Sequence, residues 1–351
     1  MRKWAILLII AGVLALLLYM YYVVGFGSII SRLERTNLYV YAVAFLTAVT
    51  SILFFSLTWR SLLANLSVKI KVHQALLFTY AGMFVASLVP EPSNITADLL
   101  SSYLASKVTG ESSGRTTAAA IGNKTLVIII TAGNLVAGLI LLVFNYYLNM
   151  EILIFILTVL LLLVTSLAIL FYISTRPHAS RRLVYAAIDL LCFVLRGKWD
   201  AAKLRAKADE LLNAFHEGIQ MLTARPIALI KPALFSIISW AFDVSTIFLV
   251  FTAIGYPVSV DKVLIVYALT GSLQSMGISF LGVTELITSF FWNVLSIPLT
   301  ISLTATLLTR FITFWFRLFI GYGAFQYASL KLLFNQNGNK IEPKTIDSKA
   351  T

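Results

Sequence analysis

Long apolar segments separated by short polar links dominate the amino-acid sequence. A helix needs about 20 consecutive apolar residues to cross a bilayer, and several segments reach that length. They cover residues 4–24, 38–58, 116–144, 151–173, 227–254 and 299–334. We therefore predict an all-α integral membrane protein with about six full spans.

Two further apolar regions are broken by residues that end helices. The first region consists of residues 74–89 and 95–107 around Pro90-Glu91-Pro92. The second consists of residues 260–276 and 283–296 around a glycine-containing break. Each half is too short to span, and an interrupted backbone cannot face lipid because its polar groups would lack partners. Both regions are predicted to be re-entrant helical hairpins; if they are merely kinked spans, the chain crosses about ten times.

The two broken regions share one order of parts, which predicts an internal repeat. Residues 38–144 and 227–334 each contain a full span, a short helix, a break, a second short helix with an acid near its start, and a long span. Lys and Arg mark cytoplasmic loops, and their distribution predicts cytoplasmic termini and hairpins that enter from opposite faces. Such inverted-topology repeats alternate access to a site at the membrane midplane. We predict one polytopic membrane domain over residues 1–334 and a disordered polar tail at 335–351.

The polar region at residues 174–226 separates the two predicted repeats. Its basic residues outnumber its acids, and its apolar residues recur at helical spacing on one side. These apolar residues are Leu204, Ala208, Leu211, Leu212, Phe215, Ile219 and Leu222. The pattern predicts an amphipathic cytoplasmic hairpin along the inner leaflet. The alternative is a solvated linker whose basic residues only set the topology.

Composition narrows the possible functions. The 351 residues are 59% hydrophobic and 12% charged, which excludes a soluble globular domain. The net charge of +12 would suggest nucleic acid in a soluble protein, but these basic residues lie beside apolar segments and indicate topology and anionic lipid. One cysteine and three scattered histidines give no metal-ligand spacing. The sequence has no phosphate-binding glycine loop, GxSxG or HExxH motif, so we expect neither a cofactor nor an enzyme.

Charged residues inside the apolar segments are the candidate site, because a charge at membrane depth is costly and usually functional. Glu285 starts a short helix, where the positive end of the helix dipole favours a carboxylate. It precedes Arg310, and Arg317 follows Arg310 by about two turns on the same helix face. Further candidates are Asp243, Asp98, Lys124 and Glu91. Each of these charges could instead be a structural clamp between helices.

The last third of the chain resembles a known family. Three segments carry the resemblance: Gly282-Val283-Thr284-Glu285, Ile297-Pro298, and Leu308-Thr309-Arg310-Phe311-Ile312-Thr313-Phe314-Trp315. They are similar to the G-V-x-E, V-P and L-x-R-x-x-T-F-W motifs of the lysylphosphatidylglycerol synthase/flippase transmembrane family. The resemblance implies a membrane domain that moves a lipid or lipid-linked head group between leaflets, with Glu285 and Arg310 in the site.

The chain departs from the family pattern in two places. Gly277-Ile278-Ser279 stands where the family usually has Pro-Gly-Gly. In the first half, Ala97-Asp98-Leu99-Leu100-Ser101 and Asn123-Lys124 stand where the family has Gly-Glu-x-x-Arg and a Glu-Arg pair. The acid is therefore shorter, an arginine is missing, and the later pair keeps one basic residue.

Three functions fit these observations. The first is a flippase-like translocator in the cell membrane that acts without ATP hydrolysis, with anionic or phosphate-bearing membrane lipids as partners. The second is a membrane subunit that presents a lipid acceptor to a transferase on a separate chain. The third is a secondary transporter for a small solute or ion. A groove open to lipid favours the first two, and a closed cavity reached from water favours the third.

Overall fold

The described part of the molecule is built from helices. A computed structural model describes residues 33–88, 95–145, 150–194, 201–275 and 282–338, together with Leu18 and Ser31. Within these ranges no strand occurs, which confirms the predicted all-α class. The helices are α1 (Leu38–Asn65), α2 (Val72–Leu88), α3 (Ile95–Thr109), α4 (Ser113–Asn145), α5 (Met150–Thr175), α6 (Pro177–Val194), α7 (Ala201–Ala224), α8 (Ile230–Ala253), α9 (Val260–Ser275), α10 (Val283–Val294), α11 (Leu299–Arg310) and α12 (Arg317–Gly338). A 3-10 turn at Pro226–Leu229 precedes α8, and a π-helical turn at Phe311–Phe316 joins α11 to α12.

Five segments in the described ranges are long and apolar enough to cross a membrane. They are Leu38–Asn65, Ser113–Leu141, Leu153–Thr175, Pro226–Ala253 and Leu299–Ser329. These segments match five of the predicted spans, and the chain is a multi-pass membrane protein. The predicted span at residues 4–24 lies outside the described residues except for Leu18, and the Pro90-Glu91-Pro92 break lies outside them entirely. The predicted disordered tail began at residue 335, but α12 continues to Gly338, so residues 335–338 are helical because the last helix runs on past its apolar part. Residues 339–351 lie outside the described residues.

The first spans of the two predicted repeats, α1 and α8, pack side by side and run antiparallel. At one end the Asn37 N–H donates to the Ala253 carbonyl at 2.8 Å. At the other end the Asn65 side-chain amide donates to the Ala228 carbonyl at 2.9 Å. Antiparallel first spans are what an inverted repeat requires; the repeat itself stays a prediction.

The hairpin region of each predicted repeat packs on the other repeat. Helix α2 lies against α12, and α9 lies against α4. The first contact is close because a Cβ atom at Gly321 would stand only 2.7 Å from the Tyr80 carbonyl oxygen. Within each region the two short helices also contact each other, α2 with α3 and α9 with α10. This reciprocal packing supports the repeat, and the side from which each hairpin enters stays a prediction.

Helix α7, in the polar region, packs against the body of the protein. Its Phe215, Ile219 and Leu222 pack into the same apolar cluster as Leu62 of α1. Gly114 at the start of α4 is in contact with the α7 backbone at Leu211, leaving no room for a side chain there. This part of the one-sided stripe therefore packs on protein, where the sequence pattern predicted the inner leaflet. The stripe was misassigned because a helix packed on protein needs the same periodicity as one packed on lipid.

Two apolar clusters hold the charged centre between them. One cluster includes Ile52 and Trp59 of α1, and the other includes Val266 of α9 and Trp292 of α10. The first cluster contributes lining residues to one polar cavity, and the second cluster contributes lining residues to the neighbouring cavity. The candidate site thus lies where the two predicted repeats meet.

Candidate functional site

Glu285 and Arg310 form a buried ion pair. The Arg310 Nε–H donates to Glu285 Oε1 at 2.8 Å, and the Gly282 N–H donates to Glu285 Oε2 at 2.7 Å. The Glu285 side chain is only 3% exposed and that of Arg310 14%. The carboxylate therefore caps the first turn of α10 with one oxygen and holds the guanidinium with the other.

Gly282 explains why this motif begins with glycine. Its φ of 86° lies in the left-handed region, which side chains disfavour. The chain turns sharply there, so that the Gly282 N–H points back at the side chain of Glu285 in the first turn of α10. A substitution at this glycine would disturb the placement of the acid as well as the backbone.

Arg310 and Arg317 lie on either side of the π-helical turn. Such turns insert an extra residue into a helix and are frequent at functional sites. Both arginines line a cavity of about 220 Å³, together with three threonines of the same segment, Thr306, Thr309 and Thr313. The Arg310 guanidinium also lies 4.7 Å from the centre of the Phe314 ring. The predicted common face of the two arginines is therefore present and faces a cavity.

A second ion pair joins α8 to α12. Arg317 Nη2 lies 3.4 Å from Asp243 Oδ1, and the Tyr267 hydroxyl of α9 donates to Asp243 Oδ2 at 3.4 Å. Both distances are at the long end for hydrogen bonds. Arg317 and Asp243 are 21% and 26% exposed, so this pair is looser and more accessible than the Glu285 pair.

The third ion pair belongs to the first half of the chain. Lys124 Nζ of α4 donates to Asp98 Oδ2 of α3 at 2.6 Å. Both residues line a cavity of about 320 Å³ that Trp59, Asn123 and Trp240 also line. The pair occupies the same place in its half as Glu285 and Arg310 do in theirs: an acid in the second short helix, bound to a base in the span that follows.

The two cavities adjoin each other. Both are lined by five residues in common: Asp243, Tyr267, Gly271, Gln274 and Arg317. The Asp243–Arg317 pair and Tyr267 therefore stand at the boundary between one chamber next to the Asp98–Lys124 pair and another lined by Arg310. The ion pair at this boundary is the loose one, with a contact of 3.4 Å.

Several buried polar atoms around the cavities have no hydrogen-bond partner among the described residues. Four of them are N–H groups: Trp59 Nε1, Trp240 Nε1, Arg310 Nη2 and Arg317 Nε. Asn123 Oδ1 is an acceptor, and the Thr306 hydroxyl can act in either role. Buried donors without partners are costly. The excess of donors suits a ligand rich in oxygen acceptors, such as a phosphate.

The third cavity is almost wholly apolar. It has a volume of about 260 Å³ and lies between α5, α9 and α10. Phe155, Leu269 and Phe291 are among its lining residues, with Glu151 as the one charged member. Val266 lines both this cavity and the one that holds Arg310. An apolar space thus adjoins the polar one.

The structure brings together six of the seven residues predicted from the sequence. Glu91 lies outside the described residues. Two lining residues, Tyr267 and Gln274, were missed. Tyr267 resembles the many aromatic residues of the apolar helices, whereas Gln274 could have been found because an amide side chain at the end of an apolar segment, next to a predicted helix break, suggests an internal partner.

Comparison with known proteins assigns the family. Residues 4–321 match the family described as the lysylphosphatidylglycerol synthase TM region. The chain belongs to this family. The resemblance noted in the carboxy-terminal motifs is therefore confirmed, and it extends over most of the chain.

Two archaeal relatives of this family member are described only as UPF0104 membrane proteins. The protein from Pyrococcus horikoshii is 22% identical over 328 residues, which are 92% of this chain and 96% of the relative. The protein from Methanothermobacter thermautotrophicus is 22% identical over 334 residues, which are 93% and 96% of the two chains. No solved structure matches the chain.

Proposed function

We propose that this family member is a lipid translocator, which moves a lipid with an anionic head group between leaflets. The observation that carries the proposal is the gathering of three acid–base pairs around two adjoining cavities inside an apolar helical body. Charges in such a place cost free energy and persist where they serve transport or catalysis. Nothing in the proposal requires ATP.

The chemistry of the cavities suits a phosphate-bearing head group. A charged head group that leaves water needs groups that replace its hydration, and unpartnered N–H donors of Arg310, Arg317 and Trp240 are available. Arginine binds phosphate through two parallel hydrogen bonds. The acids Glu285 and Asp243 neutralise the two arginines when no lipid is bound, and a phosphate can replace the looser Asp243 first.

The apolar cavity favours a lipid over a small aqueous solute. Because Val266 lines both the apolar space and the polar chamber, a head group in the chamber can keep its hydrocarbon chain in apolar surroundings. A small aqueous solute has no hydrocarbon chain to place in such a space. Alternating access would follow from rearrangement of the two predicted hairpins around the shared Asp243–Arg317 boundary, in the manner of inverted-repeat transporters.

A second candidate is a membrane subunit that presents a lipid acceptor to a separate transferase. The family description refers to the membrane region of a synthase, which favours this reading. The same cavities would then hold the acceptor lipid. Transferase activity itself would reside in the partner chain.

The test is lipid flip in liposomes that contain the purified protein. Fluorescent phosphatidylglycerol and a fluorescent prenyl phosphate are incorporated, and a membrane-impermeant reductant measures the fraction that reaches the outer leaflet. We expect accelerated flip with the wild type, and loss of it with Glu285→Gln and Arg310→Ala. Glu217→Gln is the matched control, because Glu217 pairs with Arg115 at the surface, with 55% of its side chain exposed.

Two results would contradict the proposal. Flip at the protein-free rate for both lipids with folded wild-type protein would reject a translocator and favour the transferase-dependent subunit. Unchanged flip in both site variants would place the transport path away from the cavities. Circular dichroism and size-exclusion profiles establish that each variant is folded.

A further inference from the structure

One side of helix α6 is fixed to α7 by polar contacts. The Ser180 hydroxyl lies 2.7 Å from His216 Nε2, and the Tyr185 hydroxyl donates to Asp209 at 2.6 Å. Arg181 lies between them along α6 and donates to Asn213 at 2.8 Å. Ser180, Arg181 and Tyr185 recur at helical spacing, so this whole side of α6 faces α7.

The opposite side of α6 is apolar and exposed. Leu183, Leu190 and Phe193 are 55%, 64% and 82% exposed, and helical spacing puts them on one face, with Ala186 and Ala187 between them. Nothing in the described ranges covers this face. Helix α7 does not cover it, because α7 contacts the other side of α6, and its Phe215, Ile219 and Leu222 pack on the protein body.

The position of α6 in the chain indicates what covers this face. The membrane-crossing segment Leu153–Thr175 ends two residues before Pro177, the first residue of α6. Helix α6 therefore starts at the edge of the bilayer. Its exposed face continues from a surface that already contacts lipid.

Charge also indicates the chemistry of the partner. Arg176 precedes α6 and Arg182 borders the apolar face; both are exposed, and neither has an ion-pair partner in the described part of the chain. The acid nearest to this border, Asp189, is neutralised by Arg205 of α7. A face of apolar residues edged by unpaired arginines fits the interface of a bilayer that contains anionic lipid.

We propose that α6 is an interfacial helix that docks its Leu183, Leu190 and Phe193 face into a membrane surface bearing anionic lipids. This docking is independent of the charged cavities and of the transport proposed for them. The contacts to α7 present the face in one orientation, and Arg176 and Arg182 hold it against lipid phosphates.

Spin labels measure the depth of the helix directly. The single cysteine is first replaced by Cys192→Ser, and labels are attached at Leu190→Cys and, as the matched control, at Lys207→Cys on the exposed side of α7. The full chain is placed in vesicles of phosphatidylcholine with or without phosphatidylglycerol. Relaxation by oxygen, which enriches in lipid, is compared with relaxation by a water-soluble nickel chelate.

In vesicles with phosphatidylglycerol we expect the oxygen-to-nickel ratio at position 190 to exceed that at position 207 severalfold. The ratio at position 190 falls when phosphatidylglycerol is left out, or when Arg176→Gln and Arg182→Gln are introduced together. Equal ratios at the two positions in both vesicle types would overturn the proposal. Spin–spin broadening at position 190 that disappears on dilution with unlabelled protein would assign the face to a second copy of the chain and also overturn it.

Amide hydrogen exchange on the unaltered chain gives a second test that needs no cysteine variant. Peptides covering residues 183–193 should exchange more slowly in lipid discs with phosphatidylglycerol than in discs without it. Peptides from α7 should not change. Equal exchange of residues 183–193 in the two kinds of disc contradicts the proposal even if a labelled variant fails to fold.

Discussion

Replacing Glu285 by glutamine tests whether the best-buried ion pair stabilises the fold or serves transport. Glutamine has the size of glutamate and keeps an oxygen that can accept from the Gly282 N–H, a bond of 2.7 Å. It removes the negative charge that Arg310 Nε contacts at 2.8 Å. The guanidinium, with Nη2 already unpartnered, then lacks a counter-charge in a buried place.

The expected loss of stability is large. Two opposite charges about 4 Å apart attract by about 4 kcal/mol at an effective dielectric constant of about 20. Removal of one member of a buried pair costs about 3–5 kcal/mol, because the other charge remains buried alone. We expect a loss in this range for Glu285→Gln and for Arg310→Met. The double variant should lose less than the sum of the two single losses, with a coupling of about 2–3 kcal/mol.

Equilibrium unfolding in mixed detergent micelles measures these losses. The control is Glu217→Gln, which breaks a surface contact of 3.4 Å to Arg115 with a 55% exposed acid, and should cost less than about 1 kcal/mol. A Glu285→Gln loss as small as that of the control would refute the assignment of a strong buried pair. The lipid-flip assay on the double variant Glu285→Gln/Arg310→Met separates the two roles. If the double variant is more stable than the single variants and also flips lipid, the pair is a structural clamp. If it is more stable but does not flip lipid, the pair serves transport.

Three further predictions concern Gly282, Asp243 and the contact between α6 and α7. Gly282→Ala should cost about 1–3 kcal/mol of unfolding free energy, because φ is 86° there; a loss below about 0.5 kcal/mol in the same unfolding assay would contradict the strain. Asp243→Asn should slow flip while costing less stability than Glu285→Gln, because its contact to Arg317 is long and partly exposed; equal destabilisation in the two variants would be the contrary result. Burial of His216, together with the nearby positive charge of Arg181, lowers the pKa of its imidazole, so the unfolded chain binds the proton more readily and stability falls as pH drops below about 6.5; the hydrogen-exchange protection factors of α6 and α7, corrected for the intrinsic exchange rate at each pH, should decrease there, and His216→Gln should abolish that decrease.

The sequence predicted the membrane class and most of the charged site for a physical reason. Apolar runs long enough to span are unambiguous, and a charge within such a run stands out from its surroundings. Asp98, Lys124, Asp243, Glu285 and Arg310 were found in this way, and the structure pairs four of them as two equivalent acid–base contacts. The pairing of Asp98 with Lys124 and of Asp243 with Arg317 could not be predicted from the sequence, because side-chain pairing depends on packing between helices far apart in the chain.

The remaining features depend on such long-range packing. The reciprocal contacts of α2 with α12 and of α9 with α4 leave no periodic mark on the sequence, since any apolar face can pack on any other. For the same reason, the apolar stripe of α7 was predicted to lie on lipid although part of it packs on protein. The exposed apolar face of α6 was likewise not recognised from the sequence. Tyr267 could be assigned to the site only from the structure, which shows where α9 places its side chain. Local pattern identifies which residues are unusual, and the fold determines which of them meet.

The Glu285–Arg310 and Asp98–Lys124 ion pairs occupy equivalent positions in the two halves but differ in chemistry. We therefore expect the two chambers beside them to bind a head group with different affinities. Arg310 has a planar guanidinium that can bind a phosphate through two hydrogen bonds while Glu285 still contacts its Nε, whereas Lys124 presents a point charge that its Asp98 contact at 2.6 Å already engages. The chamber next to Arg310 should therefore bind a head group more tightly than the chamber next to Lys124. A translocator benefits when one of its two chambers binds the head group weakly, because a lipid bound tightly in both chambers would be slow to leave. In the first half, Asp98 stands where the second half has Glu285, and Lys124 stands where it has Arg310. These residues are thus consistent with a weaker site from which the lipid is released, and such a site does not need the complete second-half motif.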